Sequence, residues 1–356
     1  MSQIAIIGGG AWGTGLAIVL ARRGSHQVRI WAHELEVCDS INRNHANERF
    51  LPGARIPDSV SASHDLAAVL DRVEIIVSVM PSPHCRALFA RMRPHISKHA
   101  LIVSATKGLE EGSLQRMTEV IYEVLSAPKE TEGAPPLSRA LRPGGGFDFL
   151  IGALSGPSFA QEVARGDPTA IAIASQSSDL LRTVQQEFSD DRFRVYTNSD
   201  VVGVELGGAL KNIIAIAAGI CDGLGLGHNS VAALITRGLA EMTRLVVACG
   251  GRAETMAGLA GLGDLVLTCT GGLSRNRSVG VELGCGQKLP EIIAAMHGMV
   301  AEGVFTTTAA VGLAHARGVE MPITEQMHAI LHHGKSPKDA IQELMTRAGK
   351  SEVGLG

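Results

Sequence analysis

One lysine stands inside a run of residues that otherwise belongs in a core. In Glu205-Leu206-Gly207-Gly208-Ala209-Leu210-Lys211-Asn212-Ile213-Ile214-Ala215-Ile216-Ala217-Ala218 the apolar density predicts a buried helix. An ammonium there costs free energy unless it is paired, neutralised or used. A desolvated amine is a candidate proton carrier; a lysine that snorkels to the surface or sits in a structural ion pair is the competing account. Gly207 and Gly208 one turn back and Ala215 one turn ahead line the lysine's face with small groups, so room for a ligand is expected beside the amine.

A second constellation suits phosphate. Gly8-Gly9-Gly10-Ala11-Trp12-Gly13 fits G-x-G-x-x-G between a short apolar strand, Ile4 to Ile7, and a helix from Thr14 to Arg23 that stops at Gly24. In that setting Gly8 permits the tight turn, Gly10 lets a pyrophosphate approach the backbone and Gly13 lets the helix pack on the strand. The end of the next strand, Val28 to Trp31, is where an acid would accept the ribose hydroxyls of NAD, but Ala32-His33-Glu34 follows it. Without an acid at the strand tip a 2′-phosphate is not repelled, so both NAD and NADP remain open.

Two further stretches carry donors and one carboxylate. Ala105-Thr106-Lys107-Gly108-Leu109 follows the strand Leu101 to Ser104, which places Lys107 at a strand's carboxyl end, where open parallel sheets bind ligands. Gly261-Leu262-Gly263-Asp264 offers a carboxylate, with a helix cap as its alternative role. Thr268-Cys269-Thr270-Gly271-Gly272-Leu273-Ser274-Arg275-Asn276-Arg277 offers hydroxyls, amides and a guanidinium, the planar donor set that recognises phosphate. Ser274 read alone is equally a helix cap.

The elements that must hold these groups follow from periodicity. Glu74 to Val79, Leu101 to Ser104, Phe149 to Leu154, Ala170 to Ala174 and Phe193 to Thr197 read as further strands. A Pro-, Gly- and charge-rich stretch from Ser126 to Phe147 reads as a surface loop within that series. From Asn198 or Ser199, expected to cap the Lys211 helix, the chain turns helical through Met345; Val231, Leu234, Ile235, Leu239, Met242, Leu245, Val246 and Cys249 fall at helical spacing as core positions. The expected architecture is α/β: a Rossmann-type N-terminal domain, 1–195, and an all-helical C-terminal domain, 196–356, that carries substrate and catalytic groups.

Composition bounds the class. The 356 residues are 45 % hydrophobic and only 3 % aromatic, with 42 glycines, too long for one core and rich in tight turns. A net charge of −3 without basic blocks argues against nucleic-acid or acidic-membrane partners. The six cysteines are scattered with no C-x-x-C pair, which argues against a structural metal or a disulfide framework. The uncharged run from Ile4 to Ala21 is broken by five glycines and lacks a basic start, so a cytoplasmic protein without a membrane span is expected.

In order and approximate spacing, Gly8-x-Gly10-x-x-Gly13, Ala105-Thr106-Lys107-Gly108-Leu109, Ser155-Gly156-Pro157-Ser158-Phe159-Ala160, Gly207-Gly208-Ala209-Leu210-Lys211-Asn212, Gly261-Leu262-Gly263-Asp264-Leu265 and Ser274-Arg275-Asn276 resemble the bacterial NAD(P)-dependent glycerol-3-phosphate dehydrogenases across almost the whole chain. The resemblance implies reversible reduction of dihydroxyacetone phosphate to sn-glycerol 3-phosphate with NADH or NADPH, feeding phospholipid synthesis. It implies that Lys211 is the proton donor and acceptor and that Lys107 touches both cofactor and substrate. Gly156, Ser158, Asp264, Ser274, Arg275 and Asn276 match substrate positions, with Asp264 beside the chemistry. Ala11, Trp12, His33, Ala160, Val300 and Glu302 match cofactor contacts, and Arg275 also reaches the cofactor. Ala11 stands where relatives often carry serine, Ser158 replaces a common threonine, and the 127–146 loop is longer than usual. The alternatives are a β-hydroxyacid dehydrogenase, whose substrate carboxylate Arg275 would hold, and a nucleotide-sensing protein without turnover. The apolar helical half makes a homodimer an expectation.

Overall fold

The computed structural model describes residues 2–127, 149–296, 300–349 and 351. The loop expected at 127–146 lies, beyond Ala127, outside the described residues. The chain divides into two compact units, one holding the residues up to Glu110 and Gln115–Val201, the other Glu111–Leu114 and the residues from Val202 onward.

The first unit is built on one sheet. Its strands are β1 (Ser2–Ile7), β2 (His26–Trp31), β5 (Val60–Ser63), β6 (Ile75–Ser78), β7 (Leu101–Ser104), β8 (Ile151–Ser155), β9 (Thr169–Ala174) and β10 (Phe193–Asn198); β3 (Ala46–Asn47) and β4 (Leu51–Arg55) form a separate two-stranded ribbon. The order is β5-β2-β1-β6-β7-β8-β9-β10, and the direction of travel reverses between β1 and β6. Both neighbours of β1 run parallel to it, Ile4 standing opposite Val28 on one side and Ile75 on the other. Among the described residues the one antiparallel pairing within this sheet is β8 with β9, so β9 and β10 run against the other six strands. Apolar runs without polar alternation are what a sheet covered on both faces requires. Ile4 and Ile6 enter one core with Leu16, Leu20 and Val163, while Ala5 and Ile7 enter another with Phe89, Met92 and Ile121. β5, with the sequence VSAS, was not among the expected strands; it is held by pairing with β2, not by its own apolar pattern.

The second unit is helical. Its centre is Val201–Gly223, with Gly203, Val204 and every residue from Leu206 to Cys221 buried. It alone among the described helices has the length and hydropathy of a membrane span, and 83 % of that window is buried inside the protein, as in a core helix. Its neighbours approach backbone to backbone. A Cβ on Gly219 would stand 2.0 Å from Arg277 O, one on Gly280 2.0 Å from Ile216 O, and one on Gly303 2.7 Å from Asn212 O. Glycines thus seat the helices Arg275–Gly284 and Glu302–Arg317 against it. The expected core stripe on His228–Ala248 holds in part. Met242, Leu245 and Val246 are buried, whereas Val231, Leu234, Ile235 and Leu239 are half-exposed, because burial on this helix starts only at Gly238, which packs on Ile214.

Candidate active site

In the first unit the glycine turn opens the helix Ala11–Arg22. Gly8 has φ of +134°, and a Cβ on it would stand 2.3 Å from Val79 O at the end of β6; a Cβ on Gly13 would stand 2.0 Å from Gly8 O. Neither position admits a side chain. Gly10, the residue before the helix, is different: a Cβ there would meet nothing within 4 Å. The open space therefore lies over the helix N-terminus, where backbone N–H groups favour a pyrophosphate. Ala11 and Trp12, both half-buried, form the first helical turn, and the buried Trp12 Nε1 has no partner among the described residues. Open space at Gly10 and an orphaned donor beside it fit a dinucleotide. Asn47 holds the turn from below, its Nδ2 donating to Gly9 O and to Thr14 Oγ1, both at 2.8 Å. At the tip of β2, His33 is exposed with its ring 6.3 Å from that of Trp31, and Glu34 opens the helix Leu35–Asn44.

The loops after β7 and β8 meet. Lys107 Nζ donates to Gly156 O at 3.3 Å, and Ser158 Oγ donates to the same oxygen at 2.9 Å. Gly156 has φ of +149°, and a Cβ on it would stand 2.8 Å from Ile171 Cα, so this carbonyl is presented by a turn only glycine can make. Three of the expected substrate residues thus share one hydrogen-bonded cluster. Ala160 begins the helix Ala160–Arg165, its carbonyl 3.3 Å from where a Cβ on Gly15 would sit.

In the second unit Lys211 is 6 % exposed and its amine is paired: Nζ lies 2.5 Å from Asp264 Oδ1 and donates to Thr268 Oγ1 at 2.8 Å. Asp264 is 1 % exposed. It opens the helix Asp264–Thr270 directly after a π-helical turn, Leu259–Gly263. Thr268, one turn on, donates to Asp264 O at 2.6 Å, which leaves its oxygen free to accept from the lysine. Gly207 does not open ligand space, contrary to expectation. A Cβ on it would stand 2.6 Å from Ala260 O, so its missing side chain admits the π-turn that brings Asp264 to the lysine. Cys269 beside this pair is an inert thiol, pushed by burial up to about 12.

Asn276 is 9 % exposed and fully engaged, its Nδ2 donating to Asn212 Oδ1 at 3.0 Å and its Oδ1 accepting from Gly303 N at 3.0 Å. Ser274 caps the helix Arg275–Gly284 by accepting from Arg277 N at 3.2 Å. Arg275 at the same helix start is solvent-accessible, yet crowding by protein holds its guanidinium below its ordinary value, with Glu302 acting in the opposite sense. It stays charged and accessible. Val300 and Glu302 lie half-buried at the start of Glu302–Arg317. Sequence reasoning named Thr268 and Asn212 only inside longer stretches, without these roles, and missed Asn47. Thr268 was within reach, standing at i+4 from Asp264, whereas Asn47 supports the turn across 38 residues and left no local signal.

Residues 3–133 and 146–181 match the family model described as NAD-dependent glycerol-3-phosphate dehydrogenase N-terminus, and residues 200–342 match the C-terminus model of the same family. The chain belongs to this family. A glycerol-3-phosphate dehydrogenase [NAD(P)+] of Koribacter versatilis is 65 % identical over the full length of both chains, and one of Acidobacterium capsulatum is 53 % identical over 99 % of this chain and all of that one. Among solved structures, the glycerol-3-phosphate dehydrogenase of Coxiella burnetii superposes with a TM-score of 0.88 at 43 % identity, covering 97 % of this chain and 98 % of that one. Ketopantoate reductases share the fold at 15 % identity.

Proposed function

We propose that the chain is an oxidoreductase that interconverts dihydroxyacetone phosphate and sn-glycerol 3-phosphate with NADH or NADPH, the Lys211–Asp264–Thr268 cluster managing the proton. A bound nicotinamide supplies or accepts the hydride. The observation that carries the reading is an ammonium buried at 6 % exposure whose carboxylate and hydroxyl partners fix its geometry. Asp264 offsets the cost of burying the charge and favours the ammonium form, so the amine is loaded with the proton that the ketone oxygen needs. On reduction Nζ gives that proton to the developing alkoxide; on oxidation it takes the proton back. Lys107, Gly156 and Ser158 contribute polar groups that position substrate, Arg275 holds the phosphate as a charged donor, and Ser274 and Asn276 keep its helix start in place. Gly8, Gly10, Ala11, Trp12 and Gly13 form the pyrophosphate cradle, and His33, Lys107, Ala160, Arg275, Val300 and Glu302 complete the cofactor contacts.

Phospholipid synthesis is the route served, and the cytoplasm is the compartment proposed. A homodimer is proposed on the half-exposed Val231, Leu234 and Ile235, spaced i, i+3 and i+4 on one helix face. Multi-angle light scattering giving a monomer mass would remove that element. The activity itself is tested by following NADPH or NADH oxidation at 340 nm with dihydroxyacetone phosphate. Lys211→Ala is expected to lose ~10²–10⁴-fold in kcat with cofactor affinity retained; turnover near wild type would dismiss the lysine's role.

A further inference from the structure

Away from the glycine turn, the first unit carries an open depression of about 560 Å³ whose wall includes four arginines, Arg22, Arg55, Arg165 and Arg192, with a single carboxylate, Asp191. Its volume is that of a small-molecule site. The arginines come from four separate segments: Arg22 ends the helix Ala11–Arg22, Arg55 ends β4, Arg165 ends the helix Ala160–Arg165, and Arg192 precedes β10. Two have partners that account for them. Arg165 pairs with Asp167, and Arg22 donates to Val163 O and Ala164 O at 3.3 and 3.2 Å and lies 3.7 Å from Asp190.

The other two do not. Among the described residues the Arg192 side chain reaches only Gly166 O, at 3.5 Å, and the exposed side chain of Arg55 makes no hydrogen bond or ion pair. Arg192 and Arg22 also lean over the same glycine, a Cβ on Gly166 standing 3.2 Å from Arg192 Nη1 and 3.5 Å from Arg22 Nη2. Asp167, Asp190 and Asp191 offset part of the like-charge repulsion on this wall, and the guanidinium forks left over match phosphate oxygens two at a time. Ile18 and Pro57 in the same wall offer an apolar side to a carbon skeleton.

We propose that Arg22, Arg55, Arg165 and Arg192 form a second anion site, which takes a small molecule carrying a phosphate group. Arg55 and Arg192, the two guanidiniums without carboxylate partners, together carry about the charge that one phosphate dianion balances. The site is separate from the cofactor's pyrophosphate cradle: the two lie at opposite ends of the helix Ala11–Arg22, about 16 Å apart by the rise per residue.

Inorganic phosphate is the probe, titrated calorimetrically at constant ionic strength into the enzyme loaded with NADPH and sn-glycerol 3-phosphate. Both occupants are reduced, so no turnover occurs and the established site is filled. One phosphate per chain is expected. Arg55→Gln is expected to weaken it at least tenfold while melting temperature and kcat/KM stay at wild-type values, since the Arg55 side chain makes no hydrogen bond or ion pair among the described residues and its backbone pairing with Ala46 is kept. Arg55→Lys, which keeps the charge and loses the fork, should fall between the two. Absence of binding to the loaded enzyme or equal binding by Arg55→Gln would each overturn the proposal.

Discussion

At the scale of single residues, the Lys211 amine is defined by two partners with different jobs. Asp264 supplies charge and Thr268 supplies direction, because its hydroxyl hydrogen is committed to Asp264 O and only its lone pairs face the amine. Thr268→Val keeps the volume and removes the acceptor, and a fall in kcat of ~3- to 10-fold is expected from one lost hydrogen bond, with Thr268→Ser restoring the rate. Arg275 acts on binding. Its removal as Arg275→Ala should raise KM for dihydroxyacetone phosphate ~10- to 150-fold, the worth of a charged hydrogen bond, and leave the unphosphorylated ketone unaffected. Equal losses on both substrates would assign the arginine to folding or to the cofactor. Lys211 and Asp264 were legible as candidates because each is a charge in an apolar stretch, whereas Arg275 was read from the donor-rich loop it stands in. Asn276 was legible only as a donor in a polar loop, while its bonds to Asn212 and Gly303 N depend on three helices meeting.

At the scale of elements, the abundant glycines do two different things, and the sequence alone separates them poorly. In G-x-G-x-x-G one glycine leaves space and two remove it. Gly10→Ala fills open space, so it should leave the unfolding free energy unchanged while raising KM for the cofactor. Gly280→Ala places a methyl 2.0 Å from Ile216 O and should cost ~1–3 kcal/mol or more by overpacking, read as a lower urea midpoint. The reverse pattern would mean that the glycines of the central helices are incidental. Strands with unbroken apolar text, β1, β6 and β7, were legible because both faces of each are buried. β5 was not, because a polar four-residue edge strand exists only through its partner. Likewise Val231, Leu234 and Ile235 carry the same helical spacing as the buried Met242 and Leu245; periodicity gives a face but not how far along the helix that face is covered.

At the scale of the whole molecule, one buried acid ties stability to pH. Glu241, 3 % exposed on His228–Ala248, accepts from Ile323 N at 2.8 Å and from Thr324 N and Oγ1 at 3.3 and 3.4 Å, serving as a cap for the helix Pro322–His333 that comes from another part of the chain. Burial pushes its carboxyl up to about 7, against these hydrogen bonds and Arg244, which pull it down. A carboxyl titrating higher in the folded state than in the unfolded chain, where 4.5 applies, makes the folded state the better proton binder between those two values. Its contribution is therefore fully present below pH ~4.5 and is lost as pH rises through ~7, a change of ~3 kcal/mol at 1.36 kcal/mol per unit. This runs opposite to the usual salt-bridged carboxylate, whose contribution is lost on acidification. Glu241→Gln keeps an acceptor for the Ile323 N–H and cannot ionise. The unfolding free energy of wild type minus that of Glu241→Gln, from urea titrations at pH 5 and pH 8, is expected to fall by ~2–3 kcal/mol toward pH 8. A difference independent of pH would show that the carboxyl titrates alike in both states, and that the cap on Pro322–His333 is held by geometry without a proton.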